Sequence, residues 1–87
     1  MKNELLGQLH DHGLYEEIER NGEGVTNMPA DNVYFQPGMR CKVIAFFHDE
    51  NFENFETREI VCSLEKIGRI RRVNGVRIQK LKFKKEK

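Results

Sequence analysis

Nine basic side chains crowd the end of this chain, and they are the residues best suited to hold a charged partner. Arg69, Arg71, Arg72, Arg77, Lys80, Lys82, Lys84, Lys85 and Lys87 stand against Glu86 alone, a net of +8 over residues 69–87. Residues 1–68 carry the other six basic and thirteen acidic side chains, a net of −7. The overall charge of +1 therefore conceals a strongly dipolar chain. Guanidinium forks match phosphate and carboxylate oxygens in pairs, so this segment fits a polyanion or an acidic protein surface. The leading expectation is a non-enzymatic module that holds a DNA or RNA backbone, largely without base preference, through Arg69, Arg71, Arg72, Arg77, Lys80 and Lys82. A plainer role competes with it. The same charges would solvate an edge strand, block sheet-to-sheet aggregation and pair with the chain's own acids. Phe83 is the one aromatic residue in the basic block, so a platform for stacking single-stranded bases is not expected there.

A second constellation spans residues 48–56, HDENFENFE, with four carboxylates and two phenylalanines. Exposed Phe52 and Phe55 flanked by Glu53 and Glu56 would suit a protein interface. The alternative function is accordingly a protein-binding adaptor or inhibitor, of the kind mobile elements and phages use for regulation, working through this loop or the basic segment. The bland expectation is that one or both rings fold back onto the core.

Other chemistries find little support. His10 and His12 would share a face on a strand but sit about 200° apart on a helix, the reading preferred here. Cys41, Cys62 and His48 have zinc-compatible donors, yet no CxxC-type spacing gathers them. Both cysteines read as small core residues on neighbouring strands. Gly22-Glu23-Gly24 lacks the further glycine, strand and helix of a phosphate-binding loop. No catalytic residue, metal or cofactor is expected.

Those side chains must be positioned by few elements, because 87 residues make one domain with a small core. Leu5, Leu6, Leu9, Leu14 and Ile18 recur at helical spacing. They predict a helical segment over 1–20, with Asn3 as cap, a weak point at Gly13 and a stop at Asn21-Gly22. The Gly-, Asn- and Pro-rich stretch 21–32 reads as a loop. A β-rich core is expected over 33–83, beginning with Val33-Tyr34-Phe35 and a turn at Pro37-Gly38. Met39 to His48 is its strongest strand, with five successive apolar residues that suggest burial on both faces. Thr57 to Ile67 alternates as a strand, although Ile60, Leu64 and Ile67 also fit a helix. Val73-Asn74-Gly75-Val76 places the residues that tolerate positive φ between two β-branched ones. That predicts a tight hairpin pairing Val73 with Val76, Arg72 with Arg77 and Arg71 with Ile78. Residues 84–87 are expected to fray.

The predicted fold is α+β, with an N-terminal helix on a bent antiparallel sheet of four to five short strands. In strand count and spacing it resembles a small open barrel of the SH3-like type, without a diagnostic motif. If 57–67 were helical, an αβαβ sandwich would replace it. No apolar run reaches the ~20 residues of a membrane helix, and the N-terminus has no signal-peptide pattern. The expected setting is cytoplasmic, with reduced cysteines. The oligomeric state is left open, including a homodimer in which a second copy completes an edge strand.

Overall fold

The computed structural model describes residues 6–31 and 34–86. One helix, α1 (His12–Asn21), packs on a mixed sheet of six strands. The strands are β1 (Leu6–His10), β2 (Glu23–Pro29), β3 (Arg40–His48), β4 (Phe55–Ile67), β5 (Arg71–Val73) and β6 (Val76–Lys85). Their order is β1-β3-β4-β6-β2, with β5 paired to β6. Only β1 and β3 run parallel. β1 and β2 lie at opposite edges, so the sheet does not close into a barrel and the resemblance to an SH3-like open barrel is not confirmed.

Two segments depart from expectation. The helix begins at His12, not at Asn3, which lies outside the described residues, and Leu6–His10 is an edge strand. Asp11 decides this. Its extended backbone and its Oδ1, which accepts the Leu14 N–H at 3.0 Å, make a better helix start. Gly22, at φ 83°, ends the helix as foreseen and returns its N–H to the Ile18 carbonyl. The supposed loop after it is largely β2, which pairs along β6 from Glu23↔Lys84 to Pro29↔Ile78. Gly24 and Asn27 are poor strand formers, but a partner strand outweighs local preference. Pro29 at the strand's end obstructs no further pairing.

Leu14, Tyr15 and Ile18 of α1 bury onto one sheet face made by Cys41, Val43, Ala45, Cys62, Leu64, Leu81 and Phe83. Phe35, from the irregular segment before β3, closes this layer beside the helix. Tyr34 and Phe35 lie outside any strand; Val33 is not among the described residues. Glycine permits both close approaches. A Cβ on Gly24 would stand 2.9 Å from Leu14 and one on Gly7 2.8 Å from Phe35.

The strand reading of 57–67 holds, and alternation decides it: Cys62 and Leu64 are buried while Glu59 and Glu65 are exposed. Burial of the apolar run in β3 extends over Val43, Ile44 and Ala45 but fails at Phe46, which is 56% exposed. The hairpin takes the foreseen register, with Asn74 at φ 52° and Gly75 at φ 81°. It is the far end of a longer β4–β6 ladder. The Gly68 N–H bonds to the Lys80 carbonyl across the irregular link between β4 and β5. Residues 84–86 do not fray, since β6 continues to Lys85 and the Glu86 N–H bonds to the Val61 carbonyl; Lys87 lies outside the described residues.

Candidate functional site

Strand alternation sorts the basic residues. Leu81 and Phe83 point into the helix-covered core, so Lys80, Lys82 and Lys84 point to the opposite face. Lys66 stands across from Lys82 on β4, after a register shift that bulges the chain at Glu65. Arg71 opposes Ile78 and shares that face. No described helix or loop covers it. Arg72 and Arg77 pair directly with each other and point the other way, beyond the helix. They line a shallow groove with Pro29, Ala30 and Asp31. Arg71, Lys80 and Lys82 therefore lie on one side of this end of the sheet and Arg72 and Arg77 on the other, with Arg69 in the irregular link before β5. Lys66 and Lys84 join them; the sequence block missed Lys66 because β4 brings it in from an acidic neighbourhood.

Among the described residues no carboxylate comes within ion-pair distance of Arg69, Arg71, Arg72, Arg77, Lys80 or Lys84. Of the expected contact residues, Lys82 alone has a partner, Glu23 at 3.7 Å. Several of the chain's acids are engaged elsewhere. Glu59 pairs with Lys42 at 3.1 Å and Glu56 with Arg58 at 2.9 Å. Glu86 takes two Arg40 nitrogens at 3.0 and 3.1 Å and the Ser63 hydroxyl at 3.3 Å. The Arg40 hydrogen bond holds the Glu86 carboxyl below its usual range. Two like-charge pairs, Arg72 opposite Arg77 and Lys66 opposite Lys82, are thus built into the basic end.

The aromatic constellation sits at the far end. β3 and β6 run the same way while β4 runs against both, so the 49–54 turn and the Asn74-Gly75 turn cap opposite ends of the sheet. Contrary to the bland expectation, neither ring folds onto the core: Phe52 is 60% and Phe55 69% exposed. Phe52, at φ 59°, stacks on His48 with centroids 4.1 Å apart. Asp49 builds the turn, accepting the backbone N–H groups of Asn51 and Glu53 and the Asn54 amide. The Glu53 N–H, first among these, holds the Asp49 carboxyl below its usual range. Glu56 faces the helix side and bonds to Arg58, whose guanidinium lies 4.6 Å over the Phe47 ring. Glu56 therefore lies on the face opposite Phe55.

Cys41 and Cys62 are opposite one another in β3 and β4, fully buried and unoxidised. Burial pushes the Cys41 thiol up to about 11 and that of Cys62 to about 12, so neither is a ready nucleophile. His10 ends β1 and His12 begins α1; His10 meets Phe46 edge-on and His12 packs on Phe47. Among the described residues no three His, Cys, Asp or Glu side chains gather in a way that could hold a metal ion, and no helix is long and apolar enough to cross a membrane. Comparison with family models, curated proteins and solved structures finds no match to this chain.

Proposed function

We propose that this protein is a non-enzymatic module that binds nucleic acid through the basic end of its sheet. The observation that carries the reading is the lack of ion-pair partners for Arg69, Arg71, Arg72, Arg77, Lys80 and Lys84 among the described residues. A purely solvating edge would not need two opposed like-charge pairs, which cost a few tenths of a kcal/mol each. A bound phosphate backbone removes that cost. Lys80, Lys82 and Lys84 form a ladder with one charge about every 6.6 Å along a strand, facing solvent without a covering helix. Such a ladder follows a backbone and reads no base edge, so affinity falls steeply with salt and little with sequence.

Fluorescence anisotropy with labelled oligonucleotides, titrated from low to physiological salt, tests this. The reading fails if no polynucleotide binds at low salt, or if the affinity ignores salt.

A second reading has its own observation. The exposed Phe52 and Phe55 would suit docking to a protein. Alanine at both would then abolish activity while leaving the fold and polyanion binding intact.

A further inference from the structure

The face of the sheet that no described helix or loop covers carries more than lysines. Alternation along β3 and β4 puts Phe46, His48 and Phe55 on the same face as Lys80, Lys82 and Lys84, because Val43, Ala45, Cys62 and Leu64 point to the core. Resting on the basic-end reading above, we propose that the ligand is single-stranded nucleic acid laid along this face. Its phosphates follow the lysine ladder and its bases stack on Phe46 and Phe55 at the other end.

Charge on the face supports this occupant. Three of its carboxylates are matched by a cation on the same face, Glu59 by Lys42, Glu86 by Arg40 and Glu23 by Lys82, and Glu65 stands at the bulge beside Lys66. Lys66, Lys80, Lys84 and Arg71 are left over against Glu65, so the face is net positive and the surplus lies at one end. The turn beyond Phe55 carries Glu50 and Glu53, so that end suits bases rather than phosphates. Phe46 and Phe55 are 56% and 69% exposed, and their rings are buttressed by His10 and His48 respectively.

Spacing is consistent with one strand of nucleic acid. Phe46 pairs with Thr57 and Lys84 with Ser63, six residues apart on β4. At about 3.3 Å per residue the aromatic end lies about 20 Å from Lys84, and Lys80 about 13 Å further. Single-strand sites of about 4–16 nucleotides cover such lengths. A duplex keeps its bases paired and stacked inside, so it would use the lysines and leave the phenylalanines idle.

The experiment measures anisotropy of labelled oligo-U RNA, oligo-dT DNA and a mixed-sequence DNA duplex, each about twelve nucleotides long. Wild type is compared with Phe46→Ala and Phe55→Ala, both at exposed positions, with circular dichroism confirming the fold. Single strands should bind more tightly than the duplex. Each alanine should weaken single-strand binding about five- to hundred-fold while leaving duplex binding and the salt slope unchanged. The RNA and DNA arms show which sugar is preferred. If both variants bind single strands as wild type does, this inference is overturned while the basic-end reading stands, and the aromatics pass to the protein-docking reading. If wild type binds no polynucleotide, both fall together.

Discussion

Replacing Arg72 by glutamate should stabilise the fold and, on the proposed function, weaken binding to nucleic acid. Arg72 faces Arg77 beside the Asn74-Gly75 turn, both exposed and without a carboxylate partner among the described residues. Directly opposed residues have Cβ atoms about 4.5–5.5 Å apart. With the charges about 6 Å apart in water, the repulsion is about 0.7 kcal/mol, and physiological salt roughly halves it. Reversing one sign converts that repulsion into comparable attraction, a swing of about 0.7 kcal/mol at physiological salt and up to twice that at low salt. For a domain of this size about 1 kcal/mol moves Tm by roughly 4–8 °C, so Arg72→Glu should melt about 3–6 °C higher at physiological salt. Arg72→Gln should gain about half as much, and both gains should vanish near 1 M salt. Calorimetry at three salt concentrations, paired with anisotropy, is the assay. Arg72→Glu melting lower than wild type at low salt would refute the reasoning. So would an unchanged affinity for polynucleotides.

Further outcomes follow from the same contacts. Hydrogen bonds hold the carboxyls of Glu86, Asp49 and Glu56 below their unfolded values. Their contribution is complete above about pH 4.5 and is lost as pH falls through the depressed folded values, so urea midpoints should be flat from pH 7 to 5 and drop below 4. The buried thiols Cys41 and Cys62 have raised values, so stability should be intact below pH 9 and fall between pH 9 and 11, where only the unfolded chain ionises; serine at both positions should flatten that decline. Gly24→Ala should cost about 1–3 kcal/mol by driving a methyl against Leu14 and Ile18, visible as a lower urea midpoint with unchanged slope. Glu86→Gln should loosen the end of β6, seen as faster amide exchange at Lys85 and Glu86.

The parts of the fold legible in the sequence are those that local chemistry fixes. Asn74-Gly75 sets its own hairpin register, Asn21-Gly22 its own helix stop, and the alternation of Ile60, Cys62 and Leu64 its own strand. β1 and β2 were not legible, because a partner strand decides their state: Leu6 and Leu9 fit a helix until Asp11 caps one further on, and Gly24 and Asn27 look like loop until β6 pairs with them. Asp11, three residues ahead of Leu14, was the signal available for the true helix start. The basic residues were visible as composition, but not their division between two faces, since that depends on which neighbours are buried. Phe46 belonged to a run read as buried on both faces and Lys66 was not placed, because each joins its surface through cross-strand register rather than through proximity in the chain. The one tail acid, Glu86, looked incidental beside its lysines and proves to be the anchor of β6 through Arg40 and Ser63.

The slope of log affinity against log salt is the measurement closest to the central claim, taken for wild type and for the Lys80→Gln, Lys84→Gln double variant on one oligonucleotide. Each phosphate contact adds about 0.7 to that slope on a single strand and about 0.9 on a duplex. The double variant should bind more weakly with a slope shallower by about 1.4–1.8, while its Tm stays at or slightly above that of wild type. A slope that is unchanged when both lysines are removed would contradict the lysine ladder as the phosphate-holding surface.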